Sequence, residues 1–293
     1  MDAKLLVVQA ISPLHAGTGQ GVGVIDLPIA REKATGIPFL PGSTLKGVFR
    51  DACTDSSMRT KVFGPDTGNA ELHAGAVTFS DARLLLLPVR SLHGVFAWVT
   101  SPLLLHRLKR DAANTPAPLA FNIPAPADGE CFVSNDGEGL SMEIDRDKKK
   151  SAVVLEDLAL KFKRKAEVTA WAGWFGQTLF VQDTDMQNAL KARLCIVSDN
   201  VLNFLLETAT EITARIQIDD DKKTVKEHML WYEEALPTET VMVSLVVAAN
   251  VDKSNARTAD VFAEVKRLSD NKTLQFGGKA TVGRGLCNAT LLG

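Results

Sequence analysis

The sequence is poor in residues that staple or ligate. Its four cysteines, Cys53, Cys131, Cys195 and Cys287, lie far apart and form no C-x-x-C pair, which argues against a zinc knuckle or a disulfide framework. Its five histidines do not gather near them. No run approaches the roughly 20 apolar residues of a membrane span. The apolar stretch from Leu5 to Ile11 is short and interrupted by Gln9, so it is read as a first strand rather than a signal segment, and a cytoplasmic protein without membrane contact is expected. Positive charge is not in excess either. A formal net charge of −2 argues against indiscriminate polyanion binding, so any nucleic-acid site must be a local cationic patch. Gly278 to Gly283 spells the G-x-x-x-x-G of a mononucleotide loop, but Arg284-Gly285 stands where Lys-Ser or Lys-Thr is required, and a P-loop is rejected.

What is present is enough to fold. A chain of 293 residues with 45% hydrophobic side chains can bury a full core as one elaborated domain. Its most informative stretch runs from residue 14 to 50. Pro41-Gly42 breaks the extended chain, Ser43 or Thr44 offers an N-cap oxygen, and Leu45, Val48, Phe49, Ala52 and Cys53 recur at helical spacing over 43–55, giving one stripe to bury. Ser43, Lys46, Gly47 and Arg50 fall on another face. A helix start with two cations one turn apart suits a run of phosphates; the plainer reading is a solvated amphipathic helix. Before it, Gly17, Gly19, Gly21 and Gly23 permit close backbone approach, and Asp26 follows them. A carboxylate beside RNA can hold a divalent cation or help deprotonate a 2′-hydroxyl; a turn-forming aspartate is the alternative.

Four strings, taken together, carry a family resemblance: H-x-G-x-G at His15 to Gly19, D-x-P-I-x-R-E at Asp26 to Glu32, P-x-x-P-G-S-T-L-K-G at Pro38 to Gly47 and G-G-x-x-x-x-G-R-G at Gly277 to Gly285. In order and spacing over nearly the whole chain they resemble RAMP-superfamily proteins. More narrowly they look like the filament-forming backbone subunit of the Cmr, or type III-B, CRISPR effector complex. The strand, helix, strand, strand, helix, strand order then reads as an α+β fold: one RAMP domain over 1–293 with a ferredoxin-like, RRM-like core, a mostly antiparallel sheet, helices on one face and long insertions.

Elsewhere the pattern predicts strands near 4–11, 76–79, 84–87, 94–100, 153–162, 192–197 and 241–249. Helices are expected at 102–113, 166–190, 199–208 and 257–269, and 12–40 reads as a long loop. Residues 114–150, with four prolines and the charge run Asp145 to Lys150, read as a lid-like insertion or inter-subunit arm with little regular structure. Trp171, Trp174 and Phe175 read as core. The cluster Lys161, Lys163, Arg164 and Lys165 is either an RNA contact or a solvated strand end. Alternation from Ile212 to Ile218, a polar turn and a return through Trp231 predict a hairpin. Its segments T-E-I-x-x-R-I-x-I-D and L-W-Y-E-E-x-L-P resemble the family's thumb, here 210–234, although His228 departs from the small residue expected there.

The resemblance implies a subunit that assembles along guide RNA with copies of itself in a helical filament and with other Cmr subunits, and that cleaves complementary target RNA where each thumb displaces a nucleotide. Asp26 is the implied catalytic residue and metal ligand, with a divalent cation, Mg²⁺, as cofactor. His15, Glu233 and Glu234 are auxiliary candidates. Ser43, Thr44, Lys46, Arg50, Gly277, Gly278, Lys279, Gly283 and Arg284 are the implied RNA contacts. Two alternatives remain open: a non-catalytic guide-binding scaffold, and a metal-independent guide-processing endoribonuclease using His15 and Tyr232.

Overall fold

Leu5, Leu6, Val7 and Val8 are all buried, so the first strand has no solvent face and must be covered on both sides. The computed structural model describes residues 2–293 except 20, 22, 67, 69–72, 136–138, 146–149, 220, 222, 252–254 and 271. The chain runs β1 (Asp2–Ala10), β2 (Phe39–Leu40), α1 (Gly42–Ala52), α2 (Ser56–Phe63), β3 (Val77–Phe79), β4 (Ala82–Arg90), β5 (Phe96–Thr100) and α3 (Pro102–Ala112). It continues through β6 (Glu130–Val133), β7 (Ser141–Asp145), β8 (Lys150–Leu155), β9 (Leu158–Arg164), α4 (Ala166–Leu179), α5 (Thr184–Arg193), β10 (Leu194–Val197) and α6 (Asp199–Thr208). It closes with β11 (Glu211–Ile218), β12 (Val225–Ala235), β13 (Val241–Ala248), α7 (Thr258–Ser269), β14 (Thr273–Gln275) and β15 (Leu286–Leu292).

Four strands lie in the order β15-β1-β13-β4, each antiparallel to its neighbour. In chain order α1 falls between β1 and β4, and α7 between β13 and β15, which is the expected ferredoxin-like plan. Beyond β4 the sheet continues through β5, β10, β6, β9, β8 and β7. Helices cover both faces, a departure from the one-sided arrangement expected. Leu6 and Val8 pack in the cluster holding Leu45 and Phe49 of α1 and Val261 and Val265 of α7. Leu5 and Val7 join Leu105 and Leu108 of α3 and Trp171 of α4. Phe49, wholly buried and stacked on Phe79 with ring centroids 5.2 Å apart, fixes α1 to the sheet and contributes roughly 1.5–3 kcal/mol by burial.

Several boundaries differ from expectation for identifiable reasons. The first helix ends at Ala52 because Asp55 starts α2, its Oδ1 accepting from the N–H groups of Ser57 and Met58 at 2.8 and 3.0 Å. Residues 166–190 form two helices, since Asp183 caps α5 through the N–H of Met186 at 2.9 Å. The run 153–162 is a hairpin turning at Glu156, which adopts a positive φ of 47°. Within 114–150, β6 is inserted in the main sheet between β10 and β9 with Cys131 and Val133 buried, so that part is core. Asp136, Gly137 and most of the 145–150 charge run lie outside the described residues.

Lys163 pairs with Glu130 at 2.9 Å and Lys165 Nζ lies 5.4 Å from the Phe132 ring centroid, so two members of that basic cluster already have partners. β11 and β12 form a separate two-stranded sheet whose Ile212, Ile216 and Ile218 are exposed. In its turn, Asp220 and Lys222 lie outside the described residues, as does the side chain of His228. No described helix is long and apolar enough to cross a membrane.

Candidate nucleic-acid interface

The stretch 12–40 is strapped to the root of the hairpin. Leu27 lies parallel to β12, its N–H donating to Tyr232 O and its carbonyl accepting from Glu234 N–H, both at 3.0 Å. Leu14 exchanges two backbone hydrogen bonds with Leu236, and Ala30 N–H donates to Ala16 O at 2.7 Å. The loop is therefore a strand-like layer held by backbone hydrogen bonds to the root of the hairpin and to itself. Of Gly17, Gly19, Gly21 and Gly23, only Gly19 takes a positive φ, 94°; Gly21 is instead required by crowding, since a Cβ there would lie 2.8 Å from Ile25 O.

Asp26 stands exposed at the tip of this layer. Its Oδ2 accepts from the backbone N–H of Tyr232 at 2.7 Å, which aims the carboxylate along the hairpin. Asp26 and Lys279 line one groove of about 440 Å³ with Gly21, Met229, Leu230 and Trp231. The groove thus joins a carboxylate, a cation and an indole, one group for a reacting hydroxyl, one for a phosphate and one against which a base can stack.

The auxiliary candidates are placed differently. Glu233 is buried and holds Lys279 Nζ at 2.8 Å, Trp231 Nε1 at 2.8 Å and Arg215 Nε at 3.3 Å. Burial opposes its ionisation, but the hydrogen bonds from Lys279 and Trp231 and the charges of Lys279 and Arg215 prevail and hold its pKa down to about 2. Glu234 is also buried; it pairs with Arg31 at 2.6 Å and accepts from Ile29 N–H at 3.1 Å. Both carboxylates are committed to braces.

His15 is buried, with Nδ1 2.7 Å from Glu234 O, so Nδ1 carries the proton and donates. Its carbonyl accepts from Gly278 N–H at 2.9 Å. This packing removes His15 from direct contact with a polynucleotide and disfavours the His15–Tyr232 acid–base pair.

In the closing loop the N–H groups of Gly278, Gly283 and Gly285 are taken by His15 O, Ala280 O and Pro13 O, so these donors are not free for the RNA contact implied for this loop. Gly277 and Gly283 take φ of 75° and 78°, turning the chain so that Lys279 reaches the groove. Arg284 is buried, donating to Thr213 Oγ1 at 3.1 Å and lying 3.6 Å from Glu211 Oε2. It braces the hairpin rather than offering a surface cation.

Ser43, Lys46, Gly47 and Arg50 do share a surface, a second groove of about 370 Å³ bordered by Phe63, Pro65 and Asp66. Thr44 beside them is half-buried. Neither Ser43 nor Thr44 caps α1: the N-cap is Pro41 with no side-chain cap, and Asp81 Oδ1 instead accepts from Gly42 N–H at 2.8 Å. Burial and the neighbouring Arg50 charge lower the pKa of Lys46. Sequence reasoning missed Met229, Leu230 and Trp231 as groove lining and Arg31 as the partner of Glu234. Leu230, Trp231 and Arg31 do fall within the quoted family strings, but a string does not say what each side chain meets.

A divalent ion held by protein ligands alone does not fit. Among the described residues no three His, Cys, Asp or Glu side chains converge, and Asp26 brings one carboxylate with one oxygen already accepting from Tyr232. An ion there would need its other ligands from phosphate and water.

The family model described as the RAMP superfamily matches residues 7–288. A Pyrococcus furiosus protein named CRISPR system Cmr endoribonuclease Cmr4 is 36% identical over 302 residues, covering 99% of this chain and 96% of its own length. The crystal structure of oligomeric Cmr4 from Pyrococcus furiosus superposes with a TM-score of 0.76 at 29% identity, over 100% of this chain and 98% of that one. A chain of the type III-B Cmr-beta complex bound to cognate target RNA shares the fold, with a TM-score of 0.73 at 21% identity over 99% and 97% of the two chains.

Proposed function

The chain belongs to the RAMP superfamily, and from that membership we propose that it is the repeating backbone subunit of a type III-B CRISPR effector. It assembles along guide RNA with copies of itself and other Cmr subunits, and cuts the complementary target RNA. Relatedness to a protein named an endoribonuclease supports RNA cleavage. The single observation that carries the assignment of the site is Asp26: an exposed carboxylate, oriented by Tyr232 N–H, in a groove shared with Lys279 at the root of the separate hairpin.

In this reading base pairing supplies sequence choice and the protein supplies shape and charge. The hairpin distorts the target strand, Lys279 holds a phosphate near its Glu233 anchor, and the free Oδ1 of Asp26 accepts the proton of a target 2′-hydroxyl. The O2′–P bond forms as the P–O5′ bond breaks in line, and the departing 5′-oxygen takes a proton from solvent. Ser43, Lys46 and Arg50 hold the guide backbone. Chelation in the same assay shows whether cleavage requires Mg²⁺.

The test is cleavage of guide-complementary RNA by the assembled complex with Asp26→Asn, which keeps an acceptor for Tyr232 N–H but is not a base. A fall of about 10²-fold or more, with guide binding unchanged, is expected. Undiminished cleavage would leave a non-catalytic scaffold as the better reading.

A further inference from the structure

Arg50 does not present a free guanidinium. Its Nη2 lies 2.5 Å from Asp66 Oδ1 and its Nη1 donates to Gly64 O at 2.5 Å. The placement is built by the backbone: α2 ends at Phe63, Gly64 turns with a φ of 97°, and Pro65 restricts the next dihedral and delivers Asp66 into the groove. A Cβ on Gly64 would lie 3.1 Å from Gly75 N, so the turn is also pinned by close backbone contact. Asp66 is 76% exposed whereas Arg50 is 24% exposed. The carboxylate therefore approaches from the solvent side, the side from which a polynucleotide would come.

The Asp66 oxygen on Arg50 Nη2 takes the place that one oxygen of a phosphate would take. Lys46, whose proton affinity is lowered by burial and by the Arg50 charge, has no carboxylate partner among the described residues, so the groove holds two cations against one anion. An exposed pair of this kind is weak and yields to a polyanion that engages both cations.

We propose that Asp66 is an internal competitor for the phosphate site of α1: its carboxylate occupies Arg50 in the free chain, and a guide-RNA phosphate takes its place on binding. This rests on the reading of the Ser43, Lys46 and Arg50 face as guide-binding. Asp66 then acts as a specificity determinant. It raises the threshold for isolated or short RNAs while costing little against a guide that contacts many subunits at once.

The test is fluorescence anisotropy of the full chain with a labelled 20-nucleotide single-stranded RNA across a salt series, with melting curves to confirm that each variant is folded. Asp66→Asn should tighten binding about 2–5-fold and steepen the dependence of log Kd on log salt by about 0.7, the slope of one more uncompensated cation on a single strand. Arg50→Ala should weaken binding, and in that background Asp66→Asn should have no effect. An equal gain from Asp66→Asn in both backgrounds would show a general charge effect and overturn the competition. So would no gain at all where Arg50→Ala weakens binding. If Arg50→Ala and Lys46→Ala both leave binding unchanged, the guide-face reading itself fails and the proposal goes with it.

Discussion

Asp26 Oδ2 accepts the backbone N–H of Tyr232 at 2.7 Å, so the candidate catalytic carboxylate also holds the loop to the hairpin. The two roles separate by substitution. Asparagine retains an acceptor and should leave the melting temperature within about 1 °C, because exposed isosteric changes cost little. Asp26→Ala removes the bond and should cost about 1 kcal/mol, seen as a drop of roughly 2–4 °C. Both should lose cleavage equally; a cleavage-competent Asn variant would show that the residue serves only to dock the loop.

Glu233 ties β11, β12 and the closing loop together through Arg215, Trp231 and Lys279, and the tie is pH-dependent. Its folded pKa of about 2 lies below the ordinary glutamate value of 4.5, so the folded form binds its proton less readily. The stabilisation, on the order of 2–3 kcal/mol, is complete above about pH 4.5 and is lost as pH falls toward 2. Thermal melts should therefore show wild type well above Glu233→Gln at pH 7, with the gap closing between pH 4.5 and 2.5. A gap that stays constant would mean the carboxylate is not ionised in the fold.

Arg31 spans three elements: it donates to Gly36 O and Leu206 O and pairs with Glu234. Removing it leaves a carboxylate of 4% side-chain exposure without its counter-charge, at a cost of about 3 kcal/mol. Arg31→Ala should accordingly melt far lower than wild type, and the double variant with Glu234→Gln should recover part of the loss. Equal melting of the single and double variants would place the cost in the two carbonyl contacts instead.

The ferredoxin-like core was readable because its strands and helices carry strong periodicity: Leu5 to Val8 and Val241 to Val247 are near-continuous apolar runs, and α7, within the predicted 257–269, buries Val261, Phe262, Val265 and Leu268. That Ser43, Lys46 and Arg50 share one face was also legible, since helical spacing is a local pattern. What local pattern could not give was pairing at long range. That Glu233 would meet Lys279, Glu234 would meet Arg31, and Arg284 would turn inward to Thr213 depends on contacts between segments far apart in the chain. Candidate residues could be named, but not their division into exposed groups and buried braces.

The glycines of the leading and closing loops separate in the same way, and substitution should expose it. Gly23 has nothing within 4 Å of an added Cβ, so Gly23→Ala should change stability by no more than about 0.5 kcal/mol. At Gly17 a Cβ would lie 2.5 Å from His15 Nε2, and the ring cannot swing away without breaking its bond to Glu234 O. Gly277 is stricter still: its φ is 75° and a Cβ would lie 2.3 Å from His15 O, which is backbone. Gly17→Ala and Gly277→Ala should each cost about 1–3 kcal/mol. Because Lys279 follows Gly277 into the Asp26 groove, Gly277→Ala should also depress target cleavage at temperatures where the variant is fully folded. Stability loss with cleavage intact would mean that the closing loop supports the fold alone, and Lys279 would lose its part in holding the substrate.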